Sequence, residues 1–313
     1  MTERPTEKKA DPAKTTDRAR GERRLGWMLA GPAFFVMLAV TLYPILNAVW
    51  LSLFNYRLTD PDNRSFIWFK NYSVILTDPL WWQVIWVTLL ITVITVVVEL
   101  VIGFALAMVM NKAIKTLRPF LRTAILIPYA IITVVSAFAW QFAFALDTGF
   151  VNRWLGWVPG IDAQTDWFGS FWPSIAIICL SEIWKTTPFI SLLLLAGLAQ
   201  VPEDMQEAAK VDGATAWQRL YKVTLPNMKA AIMVAVLFRT LDAFRIFDNV
   251  FVMTGGANET ETVSFLAYRT TIERVEIGLG SAVSVLLFLC VVLIAAVAIK
   301  LFRVDLSQMR GDK

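Results

Sequence analysis

The 313-residue chain contains no histidine. That absence excludes Ser-His-Asp triads, imidazole-ligated zinc and histidine acid–base chemistry together. Only two cysteines occur, Cys179 and Cys290, both inside apolar stretches. They offer neither a disulfide framework nor metal-ligand spacing, and read as small buried hydrophobes. No G-x-x-x-x-G-K-[ST] phosphate loop is present, so ATP hydrolysis by such a loop is not encoded in this chain. Charge is scarce: 17% of residues are charged, against about 25% in a soluble domain. The basic residues form no patch interleaved with aromatics, so nucleic acid is not an expected partner.

Apolar residues fill the space left by these absences. They make up 57% of the chain, with 13 Trp and 21 Phe. Six apolar stretches stand out, at about 27–50, 84–110, 123–146, 171–198, 230–254 and 278–302. A helix of such length rises ~1.5 Å per residue and crosses a hydrocarbon core ~30 Å thick. The first run is too long for a signal-peptide core of about 7–15 residues and reads as a retained span. Residues 1–26 are polar, charged and proline-containing, and read as a disordered cytoplasmic tail. Pro44, Pro128 and Pro188 lie in or near the ends of spans, where neighbouring groups absorb the lost backbone bond. The expected fold is an all-α polytopic membrane protein with six transmembrane helices, in one domain over 27–313.

Orientation follows from the lysine and arginine bias. Segments 1–26, 111–122, 199–229 and 300–313 hold 20 of these residues, and segments 51–83, 147–170 and 255–277 hold 6. The positive-inside rule puts the first set, with both termini, in the cytoplasm. An even number of spans demands the same. The opposite loops carry Trp68, Trp81, Trp82, Trp154, Trp157 and Trp167, expected as interfacial anchors or as a docking surface for an extracytoplasmic partner. Trp140, Gln141 and Phe142, near the outer end of the third span, read as an anchor before a sugar-stacking platform.

The most informative stretch is the cytoplasmic loop 199–229, AQVPEDMQEAAKVDGATAWQRLYKVTLPNMK. Pro202, Glu203 and Asp204 suit a helix start, with the helix running to about Asp212. Gly213 supplies a break or a positive-φ turn. A second helix is expected from about Ala214, with Trp217, Leu220, Tyr221 and Thr224 on one face, and Pro226 ending it. Two short helices joined at a glycine form a compact knob. It either lies on the lipid surface or plugs into the groove of a soluble partner.

Glu207-Ala208-Ala209, then three residues, Gly213, nine residues, Val223, one residue and Leu225-Pro226 resembles the coupling-loop signature of bacterial ABC-importer permeases. Only Val223 departs from it, standing where the pattern has Ile. Asp242-Ala243-Phe244-Arg245-Ile246-Phe247-Asp248, followed by Thr254-Gly255-Gly256, is similar to a segment of the carbohydrate-uptake subgroup, and the chain looks most like trehalose-importer permeases. This resemblance implies a type I importer permease in the cell (inner) membrane. It implies a second permease subunit, expected to be a different chain, two ATP-binding subunits carrying ATP and Mg, and an extracytoplasmic solute-binding protein. No cofactor is expected on this chain, which is not itself an enzyme. It also implies ATPase coupling through Glu207, Ala208, Ala209, Asp212, Gly213, Trp217, Leu225 and Pro226.

The remaining signal is charge inside the spans. Arg239, Asp242, Arg245 and Asp248 are spaced by three, so neighbours on one helix can pair. A charge at the bilayer centre costs at least ~2.5 kcal/mol, which turns these residues toward an interface or an aqueous path. They form either a structural ion-pair ladder or, with Asn249, a path or gate whose groups match sugar hydroxyls. Glu182 and Lys185 read as a self-neutralising pair or a gating contact. Glu99 lacks a partner on its own helix and is either protonated or paired across helices. The competing function is an ion-coupled secondary transporter using Glu99, Glu182 and Asp242. That reading has no role for the 199–229 loop. An intramembrane enzyme would need a nucleophile–base arrangement that the sequence does not show.

Overall fold

Long apolar runs punctuated by proline and polar breaks give an almost wholly helical chain in the computed structural model, which describes residues 12–112, 114, 116–162 and 164–302. The order is α1 (Pro12–Leu51), a two-stranded antiparallel hairpin of β1 (Phe54–Arg57) and β2 (Asp60–Phe66), α2 (Lys70–Thr77), α3 (Pro79–Lys112), α4 (Arg118–Ala130), α5 (Thr133–Phe144), α6 (Val151–Leu155) and α7 (Phe171–Leu198). Then follow α8 (Glu203–Val211), α9 (Ala216–Arg219), a π-helical turn at Leu220–Thr224, and α10 (Leu225–Asn227). The chain continues through α11 (Lys229–Ala243), α12 (Asp248–Met253), α13 (Val263–Tyr268), a second π-helical turn at Arg269–Glu273, and α14 (Ile277–Phe302).

Four of these helices are long and apolar enough to cross a membrane: Arg24–Leu51 within α1, α3, α7 and Ile277–Lys300 within α14. The stretch expected as a span at 171–198 coincides with α7. The other two expected spans are not single rods. The run 123–146 is split into α4 and α5, which meet at an 83° bend. Ile131 and Ile132 take extended angles there (ψ 136° and 135°), a conformation that β-branched side chains accept readily. The run 230–254 stops at Ala243 and restarts at Asp248. At this break the ladder tightens, with Arg245 N–H donating to the Asp242 carbonyl and Ile246 N–H to that of Ala243, both at 3.1 Å. The freed Ile246 carbonyl accepts from buried Thr262 Oγ1 at 3.1 Å, so the break is stabilised from another loop.

The tail reading of 1–26 also changes. Residues 1–11 lie outside the described residues, but the backbone is helical from Pro12. Ala, Arg, Lys and Glu dominate that stretch and are strong helix formers.

The centre of the chain is the α3–α7 pair. Gly103 allows it: a Cβ there would lie 2.8 Å from Ile190 Cγ2 and 3.3 Å from the Ser191 amide. One apolar cluster joins Val87 and Ile91 of α3 to Ile175 and Ile178 of α7, with Ala137 of α5 and Val250 of α12. A second packs Ile75, Trp81 and Val84 against Val263, Leu266, Ala282 and Val283. A third gathers Met110, Ile190, Leu194, Met228 and Ala235 at the opposite end of the bundle. Helix α1 runs against α14, yet most of its apolar side chains from Leu25 to Trp50 remain exposed.

The tryptophans sort differently from expectation. Trp68, Trp82, Trp154 and Trp157 are exposed, as anchors would be, whereas Trp81 is buried in the core. Trp167 packs inward, donating its Nε1–H to Asn152 Oδ1 at 2.5 Å. Trp140 is also internal, stacked on Phe144 at 5.7 Å and edge-on to Trp184 at 6.0 Å.

Candidate functional site

Two features stand out: an exposed helical elbow at one end of the bundle and a polar cavity within it. The elbow is built from loop 199–229. Glu203 and Asp204 sit in the first turn of α8 and Lys210 in its last, matching the helix dipole at both ends. Gly213, at φ +79°, ends it. Ala214 N–H returns to the Ala209 carbonyl at 2.9 Å and Gly213 N–H to that of Lys210 at 3.1 Å, the closure that a left-handed glycine permits. Helix α9 starts at Ala216, two residues later than expected, because Thr215 and Gln218 form a reciprocal capping box.

Pro226 does not end the second helix. The preceding turn widens to π geometry, and Pro226 enters the start of α10, where its missing N–H costs nothing. The expected apolar face is also divided. Trp217 and Tyr221 are exposed, with ring centroids 5.3 Å apart. Thr224 is buried and accepts from Gln206 Nε2 of α8 at 2.9 Å. Glu207, Ala208, Asp212, Gly213 and Pro226 are exposed, while Ala209 and Leu225 are half-buried. Sequence reasoning passed over Met205 and Val211, which stand exposed on the same elbow at 45% and 88%. Behind it lies a cavity of about 610 Å³, bounded by the ends of α3 and α7 and by both elbow helices.

The second feature centres on Arg239, which is 1% exposed. Its Nε and Nη2 donate to the two oxygens of Glu99, at 2.5 and 3.0 Å. Nη2 also donates to Glu182 Oε1 at 2.7 Å, and Nη1 to Asp242 Oδ2 at 2.6 Å. Nearly all the guanidinium donors are thereby engaged. Thr186 Oγ1 donates to Glu99 Oε1 at 2.7 Å, and Asn249 Nδ2 to Glu182 Oε2 at 2.7 Å. The buried cation of α11 thus ties α3 and α7 together, and Glu182 extends the network to Asn249 of α12. Glu99 is paired across helices, which resolves the choice left by the sequence.

Several expected pairings are not formed. Glu182 faces Arg239 and Asn249 rather than Lys185. Lys185 Nζ instead lies over the Tyr129 ring, 5.6 Å from its centroid. Only Arg239 and Asp242 of the proposed ladder pair with each other. The helix break carries Arg245 away, and its Nε donates to the Leu241 carbonyl at 3.2 Å.

Six of the seven residues singled out as a path or gate nevertheless converge. Glu182, Lys185, Asp242, Arg245, Asp248 and Asn249 line one cavity of about 410 Å³, together with Tyr129, Thr133, Thr186 and Phe247. Arg239, the seventh, sits behind the wall and holds its carboxylates. The two breaks meet here: Tyr129 and Thr133 flank the α4–α5 bend, and Arg245–Asp248 span the α11–α12 break. Non-helical backbone at membrane depth is tolerated where it lines such a space. One wall atom is left without a partner. Asn249 is 1% exposed and its Oδ1 accepts no hydrogen bond. Because the amide nitrogen is held by Glu182, the free atom is an acceptor.

Comparison with known proteins places this architecture. The pattern of the binding-protein-dependent transport system inner membrane component matches residues 99–304, which include the buried ion cluster, the cavity and the elbow. The chain belongs to this family. It is an ABC-importer permease, a multi-pass membrane transport subunit rather than an enzyme, and ATP is hydrolysed on a separate chain. This membership removes the ion-coupled alternative. The permease is 51% identical to the trehalose transport system permease protein SugA of Mycobacterium tuberculosis, covering 90% of this chain and 89% of that one. It is 34% identical to the trehalose/maltose transport system permease protein MalF of Thermococcus litoralis, covering 90% and 95%. Among solved structures, it superposes on a chain of a bacterial ABC transporter that imports the acidic polysaccharide alginate. The TM-score is 0.77 at 21% identity, covering 91% of this permease and 98% of that chain, a likeness of fold.

Proposed function

We propose that this permease carries a neutral disaccharide of the trehalose type inward across the cell membrane, through the cavity walled by Glu182, Asp242 and Asn249. The observation that carries the path is the partnerless oxygen of Asn249, a residue of the cavity wall alongside Glu182 and Asp242, whose carboxylates Arg239 holds. A cavity of about 410 Å³ falls within the range of about 300–1,000 Å³ typical of small-ligand sites. Carboxylates, a guanidinium, an ammonium and an amide supply both donors and acceptors for hydroxyls. The aromatic rings of Tyr129 and Phe247 add apolar surface for a sugar face. The names of the relatives SugA and MalF support trehalose as the cargo.

Six spans with both termini cytoplasmic complete the reading, with α4–α5 and α11–α12 each counted as one broken span. The lysine and arginine bias supports that orientation. It sets the elbow on the cytoplasmic side, where Glu207, Ala208, Ala209, Asp212, Gly213 and Trp217 engage one of two ATP-binding subunits, which hold ATP and Mg. Leu225 and Pro226 join the elbow to α11. A second, different permease subunit closes the path, and a solute-binding protein delivers the sugar from outside.

The test is uptake of labelled trehalose into vesicles that contain the permease pair, the ATPase subunits and the binding protein. Uptake that requires ATP, is competed by unlabelled trehalose and falls about tenfold or more in Asn249→Leu supports the proposal, since a site built to bond a hydroxyl loses strongly when left unpaired. Uptake driven by an ion gradient without nucleotide, or competed by acidic sugars and not by trehalose, overturns it.

A further inference from the structure

The elbow transmits force only if its two helices move as one body, and very little joins them. Gly213 forms the corner at φ +79°, and a Cβ placed there would meet nothing within 4 Å. The corner therefore has no packing brace. Among the described residues, one side-chain hydrogen bond crosses from α8 to the second helix: Gln206 Nε2 to Thr224 Oγ1, at 2.9 Å. Thr224 is 8% exposed and sits at the end of the π-helical turn, where its hydroxyl also reaches the Arg219 carbonyl at 3.3 Å. Both ends of the bond are thereby anchored, one in α8 beside Glu207 and the other in the helix that continues through α10 into α11. The widened turn matters here. It leaves the Thr224 hydroxyl where Gln206 can reach it, and π turns often mark functional positions in helices.

We propose that Gln206 and Thr224 are positioning residues for energy coupling: their hydrogen bond is the strut that stops the elbow from folding about Gly213. Neither residue belongs to the Glu-Ala-Ala…Gly…Leu-Pro signature. With the strut in place, displacement of α8 is passed to α11, which carries Arg239 and Asp242, and so to the cavity. Without it, α8 swings on the glycine while α11 stays still. ATP is then hydrolysed with little sugar moved.

The inference rests on the coupling role proposed for the elbow, so the experiment separates the two. In the complete transporter, a photo-crosslinking amino acid replacing Trp217 is first irradiated. Capture of an ATP-hydrolysing subunit establishes the contact; failure to capture one removes the coupling role and the strut with it. The sugar moved per ATP hydrolysed is then compared in vesicles for Gln206→Leu, Thr224→Val and Thr224→Ser. The expected result is a drop of about fivefold or more for the first two, the low end of coupling between sites, with ATP hydrolysis retained. Thr224→Ser keeps the hydroxyl and restores the ratio. Gln206→Leu combined with Thr224→Val does no further harm, because both remove the same bond. Equal drops in transport and hydrolysis, or an unchanged ratio in both single variants while Trp217 still captures the ATPase, overturn the proposal.

Discussion

Replacing Arg239 with methionine removes the one cation that Glu99 and Glu182 share. Glu99 is 0% exposed and Glu182 7% exposed, so neither carboxylate gains water in exchange. Breaking a buried ion pair from one side costs about 3–5 kcal/mol, chiefly because the abandoned charge stays buried. The Asp242 arm adds little. That side chain is 63% exposed, and a screened pair contributes at most about 1 kcal/mol. A loss of 3–5 kcal/mol shifts the folded-to-unfolded ratio by roughly 10²–10⁴-fold at about 1.4 kcal/mol per decade. A fluorescent-protein fusion to the permease, heated in mild detergent and passed through a size-exclusion column, reads the temperature at which half the folded peak disappears. Arg239→Met is expected to lose its peak well below the wild type. Adding Glu99→Gln to that variant is expected to recover at least about 1 kcal/mol, because a neutral amide is cheaper to bury than an unpaired charge. Arg239→Lys is expected to rescue poorly, since a point charge cannot reproduce a planar fork spread over three carboxylates. If Arg239→Met melts with the wild type, or if Glu99→Gln makes it worse, the burial argument is wrong.

Two further outcomes follow from particular contacts. Gly213→Val places a β-branched residue at φ +79° and costs about 1–2 kcal/mol in backbone strain; transport is expected to fail while the complex still assembles on a sizing column, and Gly213→Asn, which tolerates that region, is expected to retain more uptake. Trp81→Ala is expected to lower the melting temperature of the permease by a cavity cost of about 3–5 kcal/mol, whereas Trp157→Ala, exposed at 80%, is expected to leave it unchanged.

The helical class, the approximate apolar segments and the elbow were legible in the sequence because each rests on local physics. Apolar runs of 24 to 28 residues have few alternatives to a spanning helix, and α7 fell where hydropathy put it. The elbow was readable through Gly213 and the residues spaced around it, although the capping box at Thr215 and Gln218 moved the start of α9. The candidate path was half legible. Charges in apolar surroundings stand out by type, as Glu182, Lys185, Asp242, Arg245 and Asp248 do, and the polar Asn249 directly follows the last of them.

Tertiary structure alone decided which charges meet. Spacing by three suggested a ladder on one helix, yet the break after Ala243 carries Arg245 and Asp248 off that helix, and Arg239 turns to Glu99, 140 residues away. A clue existed: Glu99 had no partner on its own helix, and a buried charge must find one somewhere. Which one it finds depends on the approach of α3 to α7 and α11, and a linear pattern holds no record of that. The same limit explains the two broken spans. Hydropathy measures whether a segment prefers lipid, but the α4–α5 bend and the α11–α12 break line a cavity, and the second is stabilised by Thr262 from the loop that precedes α13. What the sequence by itself determined is therefore the inventory: helices, an elbow, and a handful of charges that cannot face lipid. The three-dimensional packing decided their pairing, because a buried ion's partner is chosen by distance in space and not along the chain.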